Sequence, residues 1–292
     1  MEIKYDNHPN EWIQIINDEK KFLHASTWLD KNTLDCWRHA RIRSSLLPLI
    51  NEGKNKKWMT IGDGRFGTDA NYLMDNGVSD VTATDISDAL LKIGAEKGFI
   101  KKYSAQNAEE LTFANDEFDY TYCKESYHHF PRPYMAVYEM LRVSKYAITL
   151  TEPIQQRNNF FIRILRKITG KKNNPHIFET VGNYVYTIST SEIEKLMLGI
   201  GLRHYAFIGI NDYYIPGIEN TPIEGGNFKE RMLRLRVKFK ILTRNILSNI
   251  GFLNHNLITV IIYKIMPTNS QIKDLKSAGF HFISLPINPY TN

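Results

Sequence analysis

The chain has 292 residues, of which 42% are hydrophobic, 12% aromatic and 23% charged. These proportions are typical of a globular protein and exclude a disordered chain, a collagen-like repeat and a coiled-coil rod. The net charge of +6 is unevenly spread. Residues 1–150 hold 19 basic and 22 acidic side chains, a net charge of −3, whereas residues 151–292 hold 18 and 9, a net charge of +9. The two halves therefore face different partners.

The cysteines and the apolar segments indicate the compartment. Cys36 and Cys123 are the only cysteines and are far apart, which favours a reducing compartment and argues against a zinc cluster. The first residues lack the apolar segment of a secretory signal, and apolar runs such as 257–263 are too short to span a bilayer. We therefore predict a cytoplasmic protein. We predict no metal site, because the histidines show neither HxxxH spacing nor clustered carboxylates.

Strand and helix signals alternate after an N-terminal region of helices over residues 9–50. Strands are predicted over 58–61, 81–84, 99–104, 118–123 and 146–150, and helices over 68–76, from the cap Ser87 to Gly98, and over 133–142. Alternation at this spacing predicts parallel strands covered by helices on both faces, the doubly wound Rossmann-like α/β sheet.

Beyond residue 151 the pattern is less regular. It predicts a basic stretch over 157–172, a helix over 191–198 with Ser191 and Glu194 as its capping box, a strand over 204–210, a long basic helix over 227–249, a strand over 257–265, a helix from Ser270 to Gly279 and a strand over 280–285.

The domain prediction follows from these elements. It comprises an N-terminal helical lid (1–50), a central domain (51–266) with basic insertions at about 157–175 and 211–254, and a C-terminal helix–strand extension (267–292).

A glycine-rich loop lies between the first predicted strand and its helix. Residues 62–67, GDGRFG, satisfy the pattern G-x-G-x-x-G, and Asp85 ends the next strand. Small residues let the chain turn sharply and approach a ligand closely, while Asp85 is placed to accept hydrogen bonds from ribose hydroxyls. A tight turn with a solvated aspartate is the structural alternative. The context favours a nucleotide-type cofactor.

The charge of this loop separates two candidate cofactors. A dinucleotide would bring an anionic pyrophosphate to the helix N-terminus, where Asp63 and Asp69 would repel it. S-adenosylmethionine instead presents a sulfonium and an ammonium, together with one carboxylate that backbone N–H groups or Arg65 can receive. The loop therefore favours S-adenosylmethionine, and an NAD(P)-dependent oxidoreductase is the alternative.

Residues 55–152 resemble the class I S-adenosylmethionine-dependent methyltransferases, particularly the bacterial small-molecule group. The resemblance rests on the segments WMTIGDGRFGTDA, ATDIS, QNAEELTFANDEFDYTYC and KESYHHF. Thr60 departs from the family pattern, which usually has an acidic residue there, and Asp63 or Asp69 can substitute for it. The resemblance implies that Gly62, Asp63, Gly64, Gly67 and Asp69 hold the methionine end of the cofactor, Asp85 the ribose, and Ile86, Asn107, Ala108 and Glu109 the adenine. Lys124 is a further candidate cofactor residue that can neutralise a carboxylate, and an ordinary loop charge is the alternative.

Methyl transfer depends mainly on holding the acceptor at attack distance, but a hydroxyl acceptor benefits from a base. His128 and His129 follow the fourth predicted strand, where the family places side chains that face the acceptor, and histidine titrates near neutrality. Glu125 is a further candidate base, as is Glu152. The alternative is a structural role for each of these residues.

Two basic segments, 157–172 and 227–249, interleave positive charges with apolar residues at helical spacing. Such helices can contact an anionic membrane or an acidic acceptor, or can pack on the domain with a solvated basic face. No zinc-finger or RNA-binding signature supports nucleic acid as a partner. We therefore predict a methyltransferase for a small-molecule or glycan-type acceptor, anionic or lipid-linked, that is O-methylated. The second alternative is a non-catalytic module that docks a membrane or partner through its basic half. The pattern predicts no particular oligomeric state.

Overall fold

The computed structural model describes residue 5, residues 7–155 and residues 184–291. The basic stretch predicted over 157–172 and the insertion predicted at about 157–175 lie outside these residues.

The described residues form ten α-helices and eight strands. The helices are α1 Asn7–Asn17, α2 Glu19–Ser26, α3 Leu34–Arg43, α4 Leu47–Gly53, α5 Thr68–Asp75, α6 Ala89–Glu96, α7 Pro133–Val143, α8 Thr190–Ile200, α9 Phe228–Asn249 and α10 Asn269–Ser277. The strands are β1 Lys57–Ile61, β2 Asp80–Asp85, β3 Lys102–Ala105, β4 Phe118–Lys124, β5 Ser144–Pro153, β6 His204–Ile210, β7 Leu257–Tyr263 and β8 His281–Ser284.

All eight strands belong to one sheet in the order β3-β2-β1-β4-β5-β7-β6-β8. Strands β1 to β5 are parallel, while β7 runs antiparallel to both β5 and β6, and β8 runs antiparallel to β6. The predicted doubly wound α/β fold is confirmed. The antiparallel pairs were not predicted, because alternating strands and helices specify parallel neighbours only.

Helices cover both faces of the sheet. On one face Leu49 of α4, Leu73 of α5 and Leu275 of α10 pack with Trp58 and other buried strand residues. On the other face side chains of α7 and α8 pack with the opposite side of β4, β5 and β7. Residues of β7 are buried along its whole length, as expected for a strand covered on both sides.

The N-terminal helices pack on the glycine-rich loop. Phe66, at the loop's end, is fully buried and has a left-handed backbone with φ of 58°. Its ring makes edge contacts with Phe22 of α2 and with Trp28, at centroid distances of 6.4 and 6.2 Å. This aromatic cluster holds the predicted helical region against the loop.

Several predicted boundaries differ from the structure by one to three residues, among them the strand predicted over 257–265, which ends at Tyr263. Hydrogen bonds account for two of the differences. The third strand begins at Lys102 rather than Phe99, because the Phe99 N–H donates to the Gly94 carbonyl and so belongs to the turn that ends α6. The N-cap of α6 is Asp88 rather than Ser87, and the Ser87 hydroxyl accepts only a long bond, 3.4 Å, from the Ala89 N–H.

The capping box of α8 lies two residues before the predicted one. Ser189, in extended conformation, accepts from the Glu192 N–H while the Glu192 carboxylate accepts from the Ser189 N–H. Glu194, predicted as the second member, instead accepts from the Tyr205 hydroxyl at 2.5 Å. Both serines precede a glutamate by three residues, so the sequence pattern alone could not choose between them.

These caps generate a stability prediction. Ser189→Ala removes the acceptor for a helix N–H, and we expect it to lower the free energy of unfolding by about 1 kcal/mol. Ser191→Ala, at an exposed position in the first turn of the same helix, serves as the matched control, with an expected change below about 0.5 kcal/mol. Urea denaturation followed by circular dichroism measures both, and a larger effect at Ser191 would contradict the observed cap.

Candidate functional site

A cavity of about 2280 Å³ opens at the carboxyl ends of β1, β2 and β4. The loops that leave these parallel strands supply one wall, as expected for the crevice of a doubly wound sheet. Side chains of α1 and α3, among them Trp12, Arg38, His39 and Arg43, supply the facing wall. The cavity therefore lies between the sheet edge and the N-terminal helices.

Most of the predicted site residues meet in this cavity. It is lined by nine of the predicted cofactor residues, Gly62, Asp63, Asp69, Asp85, Ile86, Asn107, Ala108, Glu109 and Lys124, and by the three predicted catalytic residues, Glu125, His128 and His129. Gly64 and Gly67 belong to the loop but do not line the cavity.

The glycine loop packs closely on the segment that follows β4. Gly62 has φ of 70°, and a Cβ atom built there would lie 2.3 Å from the Cβ of Ser126. The Ser126 hydroxyl donates to the Gly62 carbonyl at 2.7 Å. Glycine is therefore required at this position both by the backbone conformation and by the close approach of two loops.

Asp63 caps the helix that follows the loop. Its buried carboxylate accepts from the N–H groups of Asp69 and Ala70, at 3.0 and 2.9 Å, and from the Thr60 hydroxyl at 2.8 Å. Burial, reinforced by the neighbouring Asp69 carboxylate, raises the pKa of Asp63 above its usual range. These two amides are the groups that a phosphate at the helix N-terminus would need, so the geometry argues against pyrophosphate binding at this terminus.

Asp69 is paired with an N-terminal helix. Arg43 Nε donates to the Asp69 carboxylate at 2.5 Å, and Arg43 Nη2 donates to the Thr68 hydroxyl at 2.9 Å. Both charged side chains are more than nine-tenths buried. The pair therefore ties α3 to the start of α5, and both loop carboxylates, Asp63 and Asp69, have partners within the protein.

Asp85 lies at the end of β2 with its carboxylate facing the cavity wall. It accepts from Trp12 Nε1 at 3.2 Å and from the Ser87 N–H at 3.1 Å. Burial raises the pKa of Asp85 to about 6, although these hydrogen bonds oppose the rise. A carboxylate that titrates just below neutrality is thus available to accept from further donors.

The segment predicted to contact adenine is ordered by its own hydrogen bonds. Asn107 Oδ1 accepts from the Glu109 N–H at 3.0 Å. The buried Glu109 carboxylate accepts from the Arg132 N–H and Nε, at 2.6 and 2.7 Å, and from the Tyr5 hydroxyl at 2.7 Å. Glu109 therefore joins three parts of the chain at this end of the cavity.

Lys124 and Glu125 end β4 as an ion pair. Lys124 Nζ contacts the Glu125 carboxylate at 2.5 Å, and Glu125 has a left-handed backbone with φ of 50°. Burial alone would raise the pKa of Glu125, but Lys124, Arg38 and Arg65 lower it to about 2. The Glu125 carboxylate is consequently ionised and weakly basic at neutral pH.

A buried glutamate orients the first histidine of the pair. Glu152, fully buried at the end of β5, accepts from the N–H groups of Ser126 and Tyr127, at 2.9 and 3.0 Å. Its other oxygen lies 2.6 Å from His128 Nδ1. The His129 ring lies beside that of His128, at a centroid distance of 4.1 Å. An ionised glutamate can only accept, so we assign the proton to His128 Nδ1.

Sequence reasoning missed a buried charge network on α3. Arg38 donates to Asp35 at 2.8 Å and to Asp212, which is 174 residues away, and approaches His39 Nε2 at 3.0 Å. Burial, together with Lys124 and Arg38, holds the pKa of His39 well below its usual value, so its imidazole is neutral. These residues belong to the helical lid predicted over 1–50, and Arg38, His39 and Ala40 do line the cavity. Nothing in the sequence around Arg38 identifies Asp212 as its partner.

Comparison with known protein families matches the part of the chain that forms the candidate site. The family described as a methyltransferase domain matches residues 59–147, which include the glycine loop, Asp85 and the two histidines. No curated protein sequence matches the chain.

Solved methyltransferase structures are similar at low sequence identity. An S-adenosylmethionine-dependent methyltransferase from Archaeoglobus fulgidus is 14% identical with a TM-score of 0.48, over 76% of this chain and 93% of its own. One from Aquifex aeolicus is 12% identical with a TM-score of 0.43, over 76% and 89%. The magnesium protoporphyrin IX methyltransferase from Synechocystis is 18% identical with a TM-score of 0.41, over 56% and 73%.

The buried Arg43–Asp69 pair generates a second stability prediction. Arg43→Met leaves the Asp69 carboxylate buried without its cation, and we expect a loss of about 3 kcal/mol or more of unfolding free energy. Lys31→Met is the matched control, because Lys31 pairs with Asp75 at the same 2.5 Å but on the surface. Its expected cost is below about 1 kcal/mol. Equal costs in urea denaturation would show that burial of the Arg43 pair has no energetic consequence.

Proposed function

We propose that the chain is an S-adenosylmethionine-dependent methyltransferase that methylates a hydroxyl group with His128 as the base. The methyltransferase-domain family that matches residues 59–147 supports this proposal. The observation that carries the proposal is the contact of His128 Nδ1 with the buried Glu152, in a cavity shared with the glycine loop and Asp85. A histidine held by a buried carboxylate is the arrangement that positions a general base. The proposed acceptor is a small molecule or a glycan-type compound.

The proposed cofactor contacts follow the strand ends. S-adenosylmethionine, when bound, supplies an electrophilic methyl group on its sulfonium. We assign the ribose to Asp85, the methionine end to the loop around Gly62, and the adenine to Ile86, Asn107 and Ala108. The buried Asp85 carboxylate suits this role, because ribose hydroxyls are donors and its ionised form is acceptor-only. The carboxylates of Asp63, Asp69 and Glu109 already have partners within the protein. We propose that these residues support the loops through the hydrogen bonds described above.

The two glutamates differ in their proposed roles. Donation from Nδ1 to Glu152 makes Nε2 the basic nitrogen of His128, so Nε2 takes the proton of the acceptor hydroxyl as its oxygen is methylated. Glu152 accepts from the Nδ1–H group and stabilises the imidazolium that forms, as in triads where a buried carboxylate orients a histidine. Glu125, whose pKa is about 2, receives no proton-transfer role in this proposal. It balances the charge of Lys124.

The walls of the cavity support the proposed acceptor class. Tyr184, Tyr186 and Tyr214 line the cavity beyond the strand ends, and each offers an apolar ring with a polar hydroxyl. Such side chains suit an acceptor that combines apolar faces with hydroxyl groups. An anionic or lipid-linked acceptor is also compatible with the positive charge of residues 151–292.

The proposal includes the predicted organisation of the chain. Residues 1–50 form a lid, residues 51–266 the methyltransferase domain with its insertions, and residues 267–292 an extension that adds β8 to the sheet. A cytoplasmic location is part of the same proposal and is supported by the free thiols of Cys36 and Cys123.

The titration of Asp85 generates a prediction for cofactor binding. Ribose hydroxyls bind the ionised carboxylate, so we expect affinity for S-adenosylmethionine to rise with pH through about 6 and to level off above about 7. Below pH 6 the dissociation constant should increase up to about tenfold for each unit of acidification. Isothermal titration calorimetry between pH 5 and 8 measures this. Asp85→Asn should bind more weakly with no such transition; an unchanged affinity and profile would exclude the ribose contact.

The proposed base generates a prediction for turnover. With an acceptor found by radiolabelled methyl transfer to a panel of glycans and small hydroxyl compounds, His128→Ala should lower kcat by about 10²-fold to 10⁴-fold. Glu152→Gln should lower kcat in the same direction while leaving the cofactor dissociation constant unchanged. The exposed His281, which stacks on Phe207, provides the control His281→Ala. Equal turnover in the His128 and His281 variants would remove the base from the mechanism.

A further inference from the structure

Helix α9 turns a continuous apolar stripe toward solvent. Its members are Phe228, Met232, Leu235, Phe239, Leu242 and Ile246, with exposed fractions between 49% and 77%. They recur every three or four residues, and at about 100° per residue they lie within about 40° of one line along the helix. The stripe therefore forms a narrow apolar surface about five turns long.

The stripe is exposed although the helix is firmly packed. Val237 and Ile241, on the opposite side of α9, are buried in a cluster with Leu34 of α3 and Ile218. Near its other end, the buried Ser248 hydroxyl is bonded to the Asn211 amide at 3.2 Å. The apolar stripe is thus a second surface, distinct from the face that joins the helix to the domain.

Positive charges flank the stripe on both sides. The exposed basic residues of α9 are Lys229, Arg231, Arg236, Lys238 and Lys240. At about 100° per residue, Arg231 and Lys238 fall on one side of the stripe and the other three on the other. The helix has a single acidic residue, Glu230, whose carboxylate accepts from the Asn227 N–H in the capping box. The helix itself accordingly carries no exposed acidic side chain to balance these cations.

We propose that α9 docks on an anionic membrane, with its apolar stripe in the boundary between lipid headgroups and acyl chains. Lysine and arginine on both flanks can extend their stems along the apolar surface and place their charges at lipid phosphates. Ile250 and Phe252, exposed just past the end of the helix, lengthen the apolar surface. Among the described residues no helix is long and apolar enough to cross a membrane.

The charge distribution favours lipid over a second copy of the chain. If two copies paired through this stripe, the basic residues of both helices would lie along one seam without acidic partners. Like charges at such flanking positions oppose association. An anionic bilayer offers both an apolar layer for the stripe and negative charge for its flanks.

The experiment is a vesicle sedimentation assay with the full-length chain. We expect binding to vesicles of phosphatidylglycerol and phosphatidylcholine, little binding to pure phosphatidylcholine, and weaker binding as salt is raised. Leu235→Ser combined with Phe239→Ser should lower the partition coefficient at least tenfold. Lys238→Gln combined with Lys240→Gln should lower it roughly fivefold for each charge removed.

Matched controls are available elsewhere on the surface. Ile287→Ser combined with Tyr290→Ser removes two exposed apolar side chains, and Lys273→Gln combined with Lys276→Gln removes two exposed charges from α10. Both controls should bind as the wild type does. Absence of binding to anionic vesicles, or equal binding by the stripe variants and the controls, would overturn the proposal.

Two further measurements separate membrane docking from self-association and from the proposed function. Sedimentation velocity should give the same oligomeric state for wild type and stripe variants; a dimer that dissociates in the stripe variants would assign the surface to a second copy instead. Affinity for S-adenosylmethionine, measured by calorimetry, should be unchanged in the stripe variants. Failure of the wild type to bind that cofactor would count against the proposed function and not against membrane docking.

Discussion

Buried carboxylates with protein partners hold together the edge of the sheet where the cavity lies. Asp63 caps α5, Asp69 pairs with Arg43, and Glu152 accepts from two consecutive backbone N–H groups and contacts His128. Burying an ionised carboxylate without partners is costly, so each of these groups strongly favours the one arrangement that satisfies it. The positions of the glycine loop, α3 and the histidines all depend on this set of bonds.

These bonds also decide what the cavity can do. Because Asp63 occupies the amides at the start of α5, that terminus is not available to a phosphate. Because Glu125 is neutralised by Lys124, it is a weak base. Glu152 contacts His128 Nδ1, and this contact supports the base proposed above. Among the residues that the structure describes, Asp85 alone combines burial, a pKa of about 6 and a position on the cavity wall. The chemistry of the cavity thus depends on which carboxylates already have hydrogen-bond or ion-pair partners within the protein, and on which groups those partners are.

The parts of the fold and site that the sequence predicted are those encoded locally. The glycine loop, Asp85 and the histidines each lie at a strand end, and strand ends follow from short apolar runs bounded by turn residues. Arg38 and Asp212 show what could not be predicted, because their contact joins residues 174 positions apart and the sequence around neither residue identifies the other. The cap of α8 shows a different limit, since Ser189 and Ser191 fit the same local pattern and only the backbone conformation separates them.

Helix α9 shows both limits of prediction from sequence, the ambiguous local pattern and the distant contact. Its basic and apolar residues predicted an amphipathic helix, and the helix is present with nearly the predicted bounds. The periodicity could not show which apolar face packs on the domain, because Val237 and Ile241 form one line and Phe239 and Leu242 another. Tertiary contacts with Leu34 and Ile218 bury the first line and leave the second exposed. Seven of the eighteen basic residues in the second half of the chain therefore lie on α9, and the exposed ones among them flank an apolar surface.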